Sequence, residues 1–188
     1  MFYYVLGILV LACDQVTKLI VENRLPMGVP VVIIPGFFNL YYTRNSGGAF
    51  GLFPNMAPFL LIVGIIAVVV LMLVFRRFRY EDKRLRLALA LLISGAVGNI
   101  IDRVRLGSVT DFLQLYISRF YWPSFNVADT SVVVGAVLLL LYTFTHREKK
   151  ETKEPMVDKR EAPGEVIQEK PANGEPKPMP PQESSSME

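Results

Sequence analysis

Asp14, Asp102, Asp111 and Asp129 fall inside or at the edges of apolar runs, in a stretch (residues 1–145) that holds only seven Asp or Glu in all. A carboxylate in such surroundings is costly to keep ionised and by default marks a functional site. Two of them brought together can share one proton and activate a water. Peptide hydrolysis by such a pair needs one acid to take a proton from water and the other to protonate or hydrogen-bond the carbonyl. Asp111 and Asp129 lie on the same side of the chain's apolar segments, at similar depth. The single histidine, His146, follows the last apolar run and falls on the other side. That argues against a Ser-His-Asp triad or a His-rich zinc site beside them. These residues point to an intramembrane aspartyl hydrolase with no metal and no cofactor.

Each acid also has a plainer reading. Asp14 and Lys18 are four apart in the first apolar run, on one helix face, which suits a structural ion pair that fixes packing. Asn99, Asp102 and Arg103, within Gly98-Asn99-Ile100-Ile101-Asp102-Arg103, share a face at i, i+3 and i+4. Asp102 and Arg103 alone would suit an interfacial cap reaching for water, but an amide one turn deeper still needs a partner. Arg103 also offers a planar fork of donors for a carbonyl or a lipid phosphate. Asp129, in Phe125-Asn126-Val127-Ala128-Asp129, would pass for a first-turn acid, although Asn126 already supplies a cap. Spacing alone leaves the first acid open between Asp102 and Asp111.

The elements that must position these groups are membrane spans. The chain has 188 residues, 52% of them hydrophobic, and the apolar ones come in blocks at 2–21, 59–75, 87–101 and 130–145. Each is near the roughly 20 residues that cross a bilayer, and lipid favours helices because it cannot satisfy an open backbone. Six of the twelve Lys and Arg in residues 1–145 lie between Arg76 and Arg86. The positive-inside rule puts that loop in the cytoplasm, both termini inside, and segments 22–58 and 102–129 outside. Val10–Cys13 faintly resembles a lipoprotein processing site, but no basic segment precedes it, so the first block is expected to be a retained helix. Cys13, the one cysteine, is expected to be a packing residue.

Segment 22–58 carries two β-branched and aromatic runs, Val31–Ile34 and Phe37–Tyr42, around Pro35-Gly36, a hairpin or half-barrel pattern. Asn45-Ser46-Gly47-Gly48-Ala49-Phe50-Gly51 follows, with glycines that permit close approach of a bound chain. Ser108–Leu115 reads as a short extended stretch. The expected organisation is a membrane peptidase domain over 1–145, mainly α with four transmembrane helices and a small β-cradle at about 22–58. A disordered cytoplasmic tail rich in Glu, Lys and Pro is expected over 146–188.

With these constellations in place, the chain resembles the lipoprotein signal peptidase (signal peptidase II) family. The motifs that carry the resemblance are Asp14-Gln15-Val16-Thr17-Lys18, Asn45-Ser46-Gly47-Gly48-Ala49-Phe50, Gly98–Arg103, Val109-Thr110-Asp111-Phe112 and Phe125–Asp129, in family order across residues 2–145. Gly48 stands where many members have alanine, and the long tail is a further departure. The resemblance implies cleavage of bacterial prolipoproteins just before a diacylglyceryl-modified cysteine, at the outer leaflet of the inner membrane. It implies Asp111 and Asp129 as the catalytic pair, with Asp102 as the alternative first acid. Asn45, Gly47 and Arg103 would hold substrate, and Asp14, Lys18, Asn99, Asp102 and Asn126 would be polar support. The expected partners are the lipidated substrate and membrane phospholipid, with no nucleic acid, and the protein is expected to be monomeric. Two rivals of other classes are an ion-coupled transporter, which would want acids near the midplane, and a non-catalytic lipid- or peptide-binding protein.

Overall fold

A computed structural model describes residues 1–48, 56–77 and 82–151, the last six by their backbone alone. Ala49, Phe50 and Gly51 of the glycine-rich motif, part of the 76–86 loop and the tail from residue 152 lie outside the described residues. Four helices form where the apolar blocks lie: α1 (Phe2–Arg24), α2 (Ala57–Arg77), α3 (Lys83–Leu106) and α4 (Val127–Glu151). Each is long and apolar enough to cross a membrane. Their ends are set locally. Asp82 caps α3, its Oδ1 accepting the Arg84 N–H at 2.7 Å, which satisfies one of the orphan donors of a first turn. Gly107 ends α3 in the left-handed region at φ +67° and donates its N–H to Arg103 O at 3.0 Å. These signals carry α3 beyond the 87–101 block in both directions. The backbone of α4 starts at Val127, three residues before its apolar block, and runs helical past Thr145 to Glu151.

Lipid offers little driving force for joining helices, so close contact comes from small residues and polar links. Helix α3 is central and α4 packs most closely on it. Ala88 and Ala128 are fully buried there, with Gly95, Gly98 and Gly135 at the same seam. A Cβ on Gly98 would lie 2.5 Å from Asp14 Oδ2 and 3.2 Å from the Ala128 methyl. Glycine at 98 therefore lets α1 and α4 both reach α3 at the level of the acids. Helix α2 is the least buried of the four. Its residues Ile62, Ile66 and Leu73 stay more than half exposed, as suits a surface whose solvent is lipid.

At one end of the bundle lies a sheet, β1 (Pro30–Ile34), β2 (Phe38–Asn45), β3 (Val109–Ile117) and β4 (Phe120–Tyr121), antiparallel and in that spatial order. The hairpin turns at Gly36, φ +80°, where an L side chain would be strained. Pairing of β2 with β3 joins segments some 70 residues apart, with a register irregularity between Leu40 and Thr43. Val21, Tyr42 and Phe112 form a buried cluster with Leu25, Leu40 and Val127 packed against it. That cluster seats the sheet on α1 and α4. Each such side chain taken out of water contributes about 1.5–3 kcal/mol.

Candidate active site

Asp111 sits on β3 and is 2% exposed. In the register Thr43 faces Asp111 and Asn45 faces Val109, so Asn45 and Asp111 are diagonal neighbours on one sheet face. The Asn45 Nδ2 donates to Asp111 Oδ2 at 3.0 Å, and Asn126 Nδ2 donates to Asp111 Oδ1 at 2.8 Å. Asp129 lies in the first turn of α4, where it forms a reciprocal cap with Asn126. The Asp129 N–H donates to Asn126 Oδ1 at 2.8 Å, and the Asn126 N–H donates to Asp129 Oδ2 at 3.2 Å. Asn99 Nδ2 donates to Asp129 Oδ1 at 2.8 Å. Asn126 therefore touches both acids, through its side chain to Asp111 and through its backbone to Asp129.

The amide orientations follow from groups that can only donate. Lys18 Nζ donates to Asn99 Oδ1 at 3.1 Å, which turns the Asn99 NH₂ toward Asp129. The Gly47 N–H donates to Asn45 Oδ1 at 3.0 Å, and the Asp129 N–H occupies Asn126 Oδ1, so both NH₂ groups face Asp111. Burial, with Asp129 beside it, pushes the Asp111 carboxyl up to about 7 against the hydrogen bonds from Asn45 and Asn126. Desolvation disfavours the charged form, and a second carboxylate adds to it.

Asp14, Lys18 and Asp102, by contrast, are almost wholly buried and form one ionic cluster. Lys18 Nζ lies 2.9 Å from Asp14 Oδ2 and 3.1 Å from Asp102 Oδ2. Each of these acids also grips backbone. Asp14 Oδ1 accepts the Ala128 N–H at 2.8 Å, one residue before Asp129. Asp102 Oδ2 accepts the Thr110 N–H at 3.0 Å, one residue before Asp111. Lys18 thus holds the two carboxylates that hold the two segments carrying Asp111 and Asp129. Asp102 does not reach for water: it is fully buried on a cation and an amide.

A cleft of about 230 Å³ opens beside the pair, with Asp111, Asp129, Asn45, Asn99, Arg103 and Trp122 among its lining residues. Asp102 is not among them. Arg103 donates to Gly47 O at 3.2 Å, and its buried Nε has no hydrogen-bond partner among the described residues. The lining joins carboxyls, amide donors and a guanidinium to the apolar Val109, Val132 and Val133. Such a surface can hold an extended peptide and carry out hydrolysis beside an apolar chain. No group of three or more His, Cys, Asp or Glu suited to a metal ion occurs among the described residues.

The signal peptidase (SPase) II family profile matches residues 6–145. The chain belongs to the signal peptidase II family. Among its relatives, the lipoprotein signal peptidase of Geobacter metallireducens is 42% identical over 134 residues, 70% of this chain and 83% of the relative. That of Symbiobacterium thermophilum is 44% identical over 142 residues, 76% and 93% of the two chains. A solved bacterial membrane enzyme, 33% identical, superposes with a TM-score of 0.75 over 81% of this chain and 93% of its own. Membership of the signal peptidase II family makes the protein a membrane-embedded, multi-pass peptidase.

Glu22, Thr110, Arg105 and Gln15, outside the sequence-based set, also join this polar network. Glu22 Oε1 accepts from Thr110 Oγ1 and from Arg105, each at 2.7 Å, and so ties α1 to the start of β3. Gln15 Nε2 donates to Asp14 Oδ2 at 3.0 Å and to Gly98 O at 3.2 Å. The spacing of Asp14, Lys18 and Glu22, each four apart, carried the signal for Glu22: the three acid and base groups share one helix face. Thr110 had no such signal, because its partner Glu22 comes from a distant segment, and the link from Gln15 to Gly98 likewise crosses between helices.

Proposed function

We propose that this peptidase removes the signal peptide of prolipoproteins with Asp111 and Asp129 as its catalytic pair. The observation that carries the assignment is the shared contact of both acids with Asn126 at the wall of one cleft, while Asp14 and Asp102 are bound to Lys18. Burial and the neighbouring Asp129 push the Asp111 carboxyl up to about 7, so the pair retains a proton into the neutral range, and in this reading Asp111 is its donor. Asp129 is the ionised partner and takes a proton from water as that water attacks the scissile carbonyl carbon. Asp111 donates its hydrogen to the carbonyl oxygen, and the resulting gem-diol collapses with proton return to the leaving amine. Asn45 and Arg103 line the path of the peptide backbone, Gly47 holds both of them in place, and the Arg103 Nε, without a partner among the described residues, is the donor left for a substrate carbonyl. The pair titrates as a unit, so singly protonated is the working state.

The substrate in this reading is a prolipoprotein whose lipid-modified cysteine rests in the outer leaflet, so that the bond just before it enters the cleft. The cluster of Lys and Arg between Arg76 and Arg86 supports an orientation with that loop and both termini in the cytoplasm. The sheet and cleft then face outward in the bacterial inner membrane. One copy carries every residue invoked, consistent with action as a monomer.

The decisive test replaces Asp111 or Asp129 by Asn in purified protein and follows cleavage of a lipidated prolipoprotein peptide. We expect turnover to fall by about 10²–10⁴ or more in each, the usual range for one acid or base. Near-normal turnover in either variant, with the fold intact, removes that residue from the pair. Loss in Asp102→Asn with Asp111→Asn still active would transfer the role to Asp102. Undiminished substrate binding without any cleavage by the parent protein would favour a binding function instead.

A further inference from the structure

Away from the sheet, at the other end of the bundle, α1, α2 and α3 enclose a second cavity of about 170 Å³. Its walls include Tyr3, Gly7, Leu11, Phe75, Ile93 and Val97, and only Ser94 and the tyrosine hydroxyls add polarity. Arg86 stands at the end of this groove. It shares a face of α3 with Ala90, Ile93 and Val97, at steps of four, seven and eleven. Its guanidinium lies 4.4 Å from the Tyr3 ring centre and 5.4 Å from that of Phe75, and both rings line the groove. These cation–π contacts fix the guanidinium plane. Among the described residues the Arg86 side chain makes no hydrogen bond and no ion pair, and its Nε is buried without a partner. Arg76, Arg77, Lys83 and Arg84 surround that end of the bundle as exposed cations.

We propose that this groove is a glycerophospholipid site, with one acyl chain along α1, α2 and α3 and the phosphodiester on Arg86. It rests on the membrane-embedded fold and not on the catalytic assignment. Three observations select this occupant. The stretch from Arg86 to Val97 rises roughly 16 Å along α3, about half of the ~30 Å hydrocarbon core, so the groove spans one leaflet. Its almost wholly apolar walls and volume of about 170 Å³ admit a segment of an alkyl chain, whereas a peptide helix with side chains is ~10–12 Å across. A planar guanidinium without a protein partner, among other cations, is complementary to a phosphodiester and to no neutral lipid.

The experiment uses full-length protein purified in detergent, with phosphatidylglycerol titrated in and bound lipid counted by native mass spectrometry. We expect one molecule held per chain, and about tenfold weaker retention in Arg86→Gln, the effect of losing about 1.4 kcal/mol. Dioleoylglycerol, which has the chains but no phosphate, should bind the parent about tenfold more weakly than phosphatidylglycerol and should not discriminate against Arg86→Gln. Gly7→Leu provides a second route with Arg86 intact. A Cβ there meets only Ala90 O at 3.8 Å and Ser94 Cβ at 4.0 Å, ordinary contact, so the new side chain fits and fills the groove. Leu141→Trp, on a face of α4 that is 56% exposed, should leave retention unchanged. Cleavage of a lipopeptide substrate serves as the check that each variant is folded. Retention unaltered in both Arg86→Gln and Gly7→Leu overturns the site. Equal retention of the two lipids, or one-for-one displacement of phosphatidylglycerol by the lipopeptide, overturns it as well, the latter by giving the groove to the substrate.

Discussion

Two pairs of aspartates lie within one polar network in this protein, Asp14, Asp102 and Asp111 buried and Asp129 half-buried, and they are treated in opposite ways. Asp14 and Asp102 have a lysine ammonium within 3.1 Å. Among the described residues, Asp111 and Asp129 receive hydrogen bonds only from amide N–H groups, those of Asn45, Asn126 and Asn99. A carboxylate bound directly to a cation is occupied by that ion pair, which suits a group that grips backbone. Amide donors orient a carboxyl without supplying a charge, so burial is left free to set its protonation. On the proposed assignment the same network contains a frame and a reacting pair, and it is direct contact with Lys18 that separates them. The frame acts through the residue just before each reacting acid, Ala128 before Asp129 and Thr110 before Asp111.

That division predicts opposite failures. Asn at 111 or 129 keeps the volume and removes a carboxylate that no cation contacts among the described residues. Turnover should collapse as described above while thermal unfolding in detergent stays level or rises. Lys18→Met should do the reverse in kind. It leaves Asp14 buried without a cation, and Asp102 with only the half-exposed Arg105 at 3.7 Å, a break of the kind that costs about 3–5 kcal/mol. Its melting temperature should fall by far more than that of any Asn variant of the reacting pair. An equal fall in Asp129→Asn would mean that both pairs are structural.

Much of this contrast was legible in the sequence, and the remainder was not, for physical reasons. The apolar blocks gave the helices, because lipid leaves a span few alternatives. The i, i+4 spacing of Asp14 and Lys18 and the cap at Asn126 were local and therefore visible. The reach of Lys18 to Asn99 and Asp102 crosses more than 80 residues, and no periodicity encodes it. For the same reason spacing could not choose between Asp102 and Asp111. That choice depends on which of them shares a helix seam with Lys18 and which faces Asn45 across a sheet. Pairing of β2 with β3 was equally out of sight, since each strand alone looks like an ordinary hairpin arm or loop. The 83–106 limits of α3 and the start of α4 at Val127 depended on Asp82, Gly107 and Asn126 outranking the apolar pattern.

Acidity sharpens the comparison next. The Asp111 carboxyl, ordinarily at 3.8, stands at about 7 in the folded protein. Below 7 it holds its proton and the pair is competent, so kcat/KM should fall as pH rises through about 7. Stability carries the same sign. Between 3.8 and about 7 the folded chain binds a proton that the unfolded chain has released, so Asp111 makes the protein progressively less stable as pH rises through that window. Asp111→Asn should flatten this slope, as read by unfolding at several pH values. Since Asp129 is the second cause of the shift after burial, Asp129→Asn should move the Asp111 titration down, visible as an earlier carboxylate band in infrared difference spectra. A slope unchanged in Asp111→Asn would assign the pH dependence to another group.

The smallest effect belongs to the edge of the frame. Glu22 and Arg105 meet at 2.7 Å, but their side chains are 12% and 34% exposed, against almost none for Lys18 and its two acids. Water competes for this pair, so its coupling in a double-mutant cycle of Glu22→Gln and Arg105→Gln should be about 0.2–1 kcal/mol. Glu22→Gln keeps an oxygen for the Thr110 hydroxyl, and turnover should change less than threefold, within the ~0.6 kcal/mol that a weakened neutral hydrogen bond accounts for. A tenfold loss of turnover at unchanged stability would extend the frame outward, making Glu22 as necessary to the placement of Asp111 as Asp102 is.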